Sequence, residues 1–309
     1  MKKYLHLSIT YILFLCFSMA HAEQLLFTDH ALVGKFWDTH SHSFIDEATL
    51  LSGLNAVDVL LLGETHDNPA HHEFQQKILQ ARLDAGARPA LLMEQLDRDS
   101  QPALNAALAN TNRDEALSLV KKLIKFSNWQ SYIELLTIAY DHQLPVIAAN
   151  VSSQYLQPVI WRGFAALDEG EIQHLAIDTV WDEPRQKYLQ RHMGGAHCGQ
   201  LREELRVGLT RSQRLRDAQM VDSGVSSIDR GIIAVIGRDH ARLDVGLPIY
   251  FAARAPAARV VTMGLVEVLP GMIDPQAYLG ESASDQAPFD VLWFSARVNR
   301  PDPCAEMNK

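Results

Sequence analysis

The sequence predicts an α/β fold: a mainly parallel sheet flanked by helices, with an inserted helical lobe. Three observations carry this reading. Short apolar runs rich in branched side chains alternate with longer stretches of helical periodicity. The runs lack strict in–out alternation, as expected of strands covered on both faces. Most of them stop at Gly, Glu or Asn just before a helical stretch begins, the punctuation of successive βα units.

Taken in order, Val57 to Leu62 reads as a buried strand that stops at Gly63. Asn68 then offers a helix N-cap and Pro69 a first helical residue. That helix runs to about Ala85, with Phe74, Ile78 and Ala81 on its core face, and Gly86 closes it. Ala90 to Met93 is the next strand, ending at Glu94, and Pro145 to Ala149 a third, ending at Asn150. Gly231 to Ile236 is a fourth, stopping at Gly237, and 259–268 and 291–298 supply two more. The stretches 100–142 and 151–222 read as helical insertions, the second broken by a glycine-rich loop from Met193 to Gly199. Strand order is not readable.

The chain has 309 residues, 47% of them hydrophobic, and a net charge of −9. That composition excludes a mainly disordered chain. The acidic balance argues against a nucleic-acid binder. At the N-terminus, Lys2 and Lys3 precede an uncharged apolar stretch that ends in Ala20-His21-Ala22. This is the pattern of a signal peptide (residues 1–22) cleaved after Ala22, leaving a single α/β domain over 23–309 in the periplasm or beyond. The stretch falls short of the roughly 20 apolar residues that span a bilayer. Leu15 before Cys16 does not make a lipidation site. The mature chain keeps Cys198 and Cys304, an even number that favours a disulfide in an oxidising compartment; two separate thiols are the alternative.

One pattern occurs twice. The strand at 57–62 leads into Gly63-Glu64-Thr65-His66, and the strand at 231–236 into Gly237-Arg238-Asp239-His240. In a parallel sheet all carboxyl ends lie on one edge, where ligands bind. Both histidines therefore emerge there, beside Glu94 and Asn150 at the ends of two other strands. Imidazole and carboxylate together can hold a divalent metal ion and activate its water. A Glu/His pair can equally act as a general base with no metal. A second His-rich motif, Asp38-Thr39-His40-Ser41-His42, resembles the H-x-H of metal-dependent amidohydrolases, but too few βα units accompany it for their barrel.

The segment Leu61 to Pro69 with His71-His72 resembles the opening signature of the ChaN-like haem-binding uptake proteins of the Tiki superfamily. Further segments match in order: Leu92 to Arg98, Pro145 to Asn150, His197-Cys198-Gly199, Gln213 to Met220 and Gly237 to Pro248. The resemblance runs from about His30 to the C-terminus. It implies a ChaN/erythromycin-esterase-like fold and an exported protein that binds haem or a related iron cofactor for uptake. It also implies haem uptake machinery of the outer membrane and a homodimer as candidate partners. Enzymes of the wider superfamily give the alternative: a metal-dependent hydrolase of protease or esterase type using His66, Glu94 and His240, with Glu64 as base or ligand.

Haem needs an axial ligand and partners for its propionates. No C-x-x-C-H is present, so attachment would be non-covalent. The favoured cluster is Tyr188, His192, Met193 and His197, in or beside the glycine-rich loop, with Arg185 and Arg191 for the propionates. His71 and His72, in the first turn of a helix, are further candidates, as is Tyr155.

Overall fold

The computed structural model describes residues 24–305 apart from Ser127, His197 and Pro303. The predicted signal peptide and His197 lie outside the described residues. In chain order the strands are β1 (Leu25–Leu26), β2 (Phe36–Asp38), β3 (Ser43–Ile45), β4 (Val59–Glu64), β5 (Ala90–Asp97), β6 (Val146–Asn150), β7 (Ile232–Gly237), β8 (Val260–Glu267), β9 (Val291–Ser295) and β10 (Arg297–Val298). The helices are α1 (Glu47–Leu54), α2 (Pro69–Asp84), α3 (Gln101–Leu108), α4 (Arg113–Lys121), α5 (Ile133–Asp141), α6 (Ser153–Arg162), α7 (Glu169–His174), α8 (Glu183–Ala196), α9 (Glu203–Gly224) and α10 (Leu247–Arg254). Among the described residues no helix is long and apolar enough to cross a membrane.

Eight strands form one sheet in the order β3-β2-β9-β8-β4-β7-β5-β6. The six from β9 to β6 run parallel, as predicted. The hairpin β2–β3 adds an antiparallel edge that the sequence reading did not contain. Its turn is the Asp38–His42 motif: Asp38 accepts from the backbone N–H groups of His40 and Ser41, and His40 pairs with Asp290 at 2.8 Å. Those histidines thus serve a hairpin turn at the far edge of the sheet.

Adjacent residues of each central strand feed opposite cores, which is why alternation is missing from the sequence. Leu61, Leu92, Ala234 and Ile236 pack with residues of α6, α9 and α10 on one face. Leu60, Leu62, Met93 and Val235 pack with α2, α3 and α5 on the other. The two predicted insertions therefore form helical layers over opposite faces. At the free edge, Gln101 stands in for a further strand: its side chain accepts from Ala148 N–H at 2.7 Å and donates to Val146 C=O at 3.0 Å. A paired edge of this kind resists edge-to-edge association.

The local signals hold where they were strongest. Asn68 caps α2 by accepting from Ala70 N–H at 3.0 Å, Pro69 opens the helix, and Gly86 closes it at a φ of 87°. The loop predicted at 193–199 is corrected in part. Helix α8 continues through Gly194 and Gly195 to Ala196, so Met193 is helical and the chain turns at Cys198 and Gly199 in left-handed geometry. Cys198 and Cys304 form the expected disulfide, with Cα atoms 5.6 Å apart.

Candidate functional site

Strands β4 and β7 are neighbours, with Glu64 in register with Gly237. The two Gly-x-x-His turns therefore lie side by side. Their glycines make that approach possible. A Cβ on Gly63 would sit 2.7 Å from Ala241 Cβ, and one on Gly237 would sit 3.1 Å from His66 Nε2. Between the turns and β5 lies a cavity of about 290 Å³ lined by Glu64, Thr65, His66, Glu94, Gln213 and residues 237–240.

Two carboxylate–histidine pairs meet here. Glu64, 2% exposed, accepts from His66 Nδ1 at 2.8 Å, Tyr132 Oη at 2.5 Å, Gln95 Nε2 at 3.1 Å and Gln75 Nε2 at 2.6 Å. Asp217 on α9 binds His240 Nδ1 at 2.5 Å. In both histidines Nδ1 is thus engaged from behind, and Nε2 is the ring nitrogen nearer Glu94. Glu94 Oε1 lies 3.4 Å from His240 Nε2 and 4.0 Å from His66 Nε2, while Oε2 accepts from Gly237 N–H at 2.6 Å.

The electrostatics follow from burial set against these partners. Burial disfavours a charged His240, but Glu94 and Asp217 outweigh it and raise its pKa to about 10. Burial disfavours the Glu94 carboxylate, yet His240 and then His66 bring its pKa down to about 2. For Asp217 burial dominates over His240, and its pKa rises to about 6. His66 is raised, because its bond to Glu64 and the charge of Glu94 exceed the cost of burial. The hydroxyl of Tyr132 is raised by burial and by Glu64, which keeps it a donor.

Among the described residues, no three His, Cys, Asp or Glu side chains are arranged to hold a metal ion. Each imidazole has its Nδ1 held by a carboxylate, which turns Nε2 toward Glu94, and His66, Glu94 and His240 pair with one another.

Beyond Arg238 and Asp239 lies a second cavity of about 460 Å³, which these two residues also line. Its other walls come from α8 (Tyr188, Arg191, His192), Arg242, and Tyr278, Leu279, Glu281 and Phe289. His192 Nε2 is 2.8 Å from Asp239, so a neutral His192 bears its lone pair on Nδ1. The rings of Tyr188 and His192 stack at 5.8 Å, with the Arg242 guanidinium 4.7 Å over Tyr188. Burial raises the Tyr188 hydroxyl to about 12, against the pull of Arg242. Arg191 reaches Glu281 at 3.5 Å, and Arg242 is held by Asp244 at 2.8 Å. A larger cleft of about 610 Å³ opens beside Pro145 at the amino end of β6, away from both histidine turns.

The predicted site residues divide accordingly. Glu64, His66, Glu94 and His240 come together in the first cavity, and Tyr188, His192 and Arg191 in the second. Arg185 turns away to donate to Asp244 C=O and pair with Asp182. Asn150 ends β6, beyond β5, and accepts from Val151 N–H at 2.8 Å. His71 is corrected from a cofactor candidate to a structural residue. It is fully enclosed, accepts from Thr65 N–H at 2.9 Å and meets Ser295 Oγ at 2.9 Å, and burial lowers its pKa to about 3. His72 is buried behind Glu64, 3.5 Å from Oε2, and lowered by burial. Tyr155 bonds Glu171 on the α6 side. Met193 lines neither cavity.

Sequence reasoning missed Asp217, Gln75, Gln95 and Tyr132 around the first cavity, and Arg242, Tyr278 and Phe289 around the second. Asp217, Gln95 and Arg242 carried a signal, as members of the matching Gln213–Met220, Leu92–Arg98 and Gly237–Pro248 segments.

A model of the family described as haem-binding uptake, Tiki superfamily, ChaN, matches residues 50–251. The chain belongs to this family. The match begins in α1 and ends in α10, so it takes in both Gly-x-x-His turns and all of α8. Among solved structures, one titled for cofacial heme binding to ChaN of Campylobacter jejuni is similar at 20% identity and a TM-score of 0.67, covering 84% of this chain and 95% of that one. It shares the ChaN-like fold. An erythromycin esterase variant in its open conformation aligns over 88% of this chain and 86% of its own, at 10% identity and a TM-score of 0.42. No curated protein matches the chain.

Proposed function

We propose that this ChaN-family protein binds haem non-covalently in the 460 Å³ cavity between α8 and the Arg238–Arg242 segment, for haem or iron uptake outside the cytoplasm. The observation that carries this is the lining of that cavity. Tyr188 and His192 are side chains of the kind that ligate haem iron. Arg191 and Arg238 offer guanidinium groups to carboxylates such as the propionates, and Phe289 and Leu279 give apolar surface. The strand-end cavity is smaller and lined by polar side chains, which suits a macrocycle poorly. In the larger cavity the donor chemistry fits. The chain supplies the ligand and the counter-charges, and the bound haem supplies the iron that is carried. Asp239, by holding His192 Nε2, orients the ring; it is a positioning residue.

Titrating the purified protein with hemin and following the Soret band tests this reading. A saturable shift is expected, weakened at least roughly tenfold in Tyr188→Phe/His192→Ala, the loss of about 1.4 kcal/mol of binding. No saturable shift would sink the reading, and an unchanged affinity in the double variant would move the site elsewhere. Export through the N-terminal segment belongs to the same proposal. It is checked by the N-terminus of the secreted protein, expected at Glu23; a retained Met1 contradicts cleavage.

A further inference from the structure

We propose that the Cys198–Cys304 bridge is a redox latch on the haem cavity. Oxidised, it pins the end of α8 to the C-terminal tail; reduced by a dithiol, it frees that end and speeds release of the bound haem. The control of haem rests on the reading above, whereas the control of α8 does not.

The wall that carries Tyr188, Arg191 and His192 is held unevenly. Its first half is anchored. Arg185 Nε donates to Asp244 C=O at 2.9 Å, Gln186 accepts from Arg214 at 3.2 Å, and Tyr188 and Leu189 are buried. From Gln190 to Gly195 no residue is buried. There His192 meets Asp239 and Arg191 meets Glu281, partly exposed pairs of the kind that contribute little. The last turn contains Gly194 and Gly195, and glycine is a poor helix former. The turn that follows places Cys198 at a φ of 60°, a left-handed geometry that is costly for a residue with a Cβ. A helix end built this way frays unless something outside it holds it.

The bridge supplies that hold, because the tail it reaches is firmly seated. Strand β10 pairs with β1, Asn299 N–H donates to Gln24 C=O at 2.8 Å, and Arg300 forks between Asp67 and Glu267. Cys304 follows Arg300 by four residues, so the strap is short. About one helical turn separates His192 from Ala196, so slack at the end of α8 reaches the ring. Both cysteines are half-buried, and Gly199, Asp302 and Ala305 beside them are exposed, so a thiol can reach the sulfurs.

The exchange balances. One thiol of the dithiol, as its thiolate, attacks a bridge sulfur. The sulfur–sulfur bond breaks, and its electron pair passes to the other cysteine, which takes a proton. The second thiol then closes on the mixed disulfide and releases the first cysteine, which takes the second proton. The dithiol leaves as a disulfide, the bridge has gained two electrons and two protons, and the haem takes no part.

The test uses the full exported chain in two forms: oxidised, and reduced with dithiothreitol, alkylated with iodoacetamide and freed of reagent. Cys198→Ser/Cys304→Ser gives the open state without reagents, and the temperature is one at which all forms are native by circular dichroism. Hydrogen exchange of the haem-free protein should speed at least about tenfold over Gln190 to Gly195 in both open forms, while β4 and β7 stay protected. Transfer of bound hemin to excess apomyoglobin should speed by a similar factor, with association changed less. Gly195→Ala, whose Cβ would meet open space, should slow release from the open forms and leave the oxidised form unchanged, a pattern that general loosening of the fold does not give. Equal exchange over Gln190 to Gly195 in oxidised and open forms would overturn the latch whether or not hemin binds. Exchange that speeds equally in β4 and β7 would overturn it too, making the bridge a staple of the whole fold. Faster local exchange with an unchanged release rate would overturn its control of haem. Faster local exchange with no hemin bound by either form would sink the haem reading alone and support the latch on α8.

Discussion

Removing the disulfide should cost this protein more than any single surface change. Cys198 and Cys304 are 106 residues apart, and the bridge ties the C-terminal tail to the turn after α8. In the chain-entropy model a loop this long contributes at most about 5 kcal/mol. We expect Cys198→Ser/Cys304→Ser to lower the melting temperature by roughly 10 °C, taking about 2–4 °C per kcal/mol for a chain of this order of size. An ion pair also anchors the tail. Arg300 forks between Asp67 at 2.7 Å and Glu267 at 2.7 Å. That partly exposed pair is worth about 1 kcal/mol, so Arg300→Ala should cost far less than the double cysteine variant. Calorimetry of the three proteins without reductant decides it. Equal melting temperatures for the wild type and the double cysteine variant would show that the bridge contributes nothing.

The second large effect lies in the strand-end network. Asp217 is fully enclosed and bonded to His240, itself only 5% exposed. Deleting one partner of a buried charged pair leaves the other uncompensated, at about 3–5 kcal/mol. Asp217→Ala should therefore be among the most destabilising substitutions in the sheet, and its effect should depend on pH. The folded pKa of His240 is raised to about 10 from the usual 6.5. Its contribution is thus fully present below pH 6.5 and is lost as pH rises through 10. Glu94 is lowered to about 2 from 4.5, so its contribution is present above pH 4.5 and is lost as pH falls toward 2. Urea unfolding from pH 6 to 10 should show stability falling in the wild type and falling less in Asp217→Ala. Parallel curves would remove His240 as the group responsible.

What the sequence disclosed, and what it hid, has physical causes. Val59–Leu62 and Ile232–Ile236 were legible because burial on both faces leaves unbroken apolar runs. The two Gly-x-x-His turns were legible for a related reason, since strand ends of a parallel sheet share an edge. Their adjacency was not, because nothing local encodes strand order. The sequence places the end of β5 at Glu94. The strand continues through a bulge to Asp97, which pairs with Asn150 of β6, while Glu94 meets Gly237 N–H and His240 in the neighbouring turn. The β2–β3 hairpin was missed because its strands are three residues each, and β2 gains its pairing from β9, about 250 residues downstream. Asp217 hid inside a helix, where aspartate reads as solvent-facing; only the folded position of His240 explains it. The cavity beside α8 is half visible in the sequence. Its α8 wall is one short sequence stretch, whereas Arg242, Tyr278 and Phe289 arrive from separate loops.

The most direct measurement of the haem assignment is the position of the iron. A crystal of the protein grown with hemin, measured at the iron absorption edge, should show its anomalous peak between α8 and Arg242, beside Tyr188 or His192 and clear of Glu94. A peak in the strand-end cavity, at the amino end of β6, or on no protein side chain would contradict it.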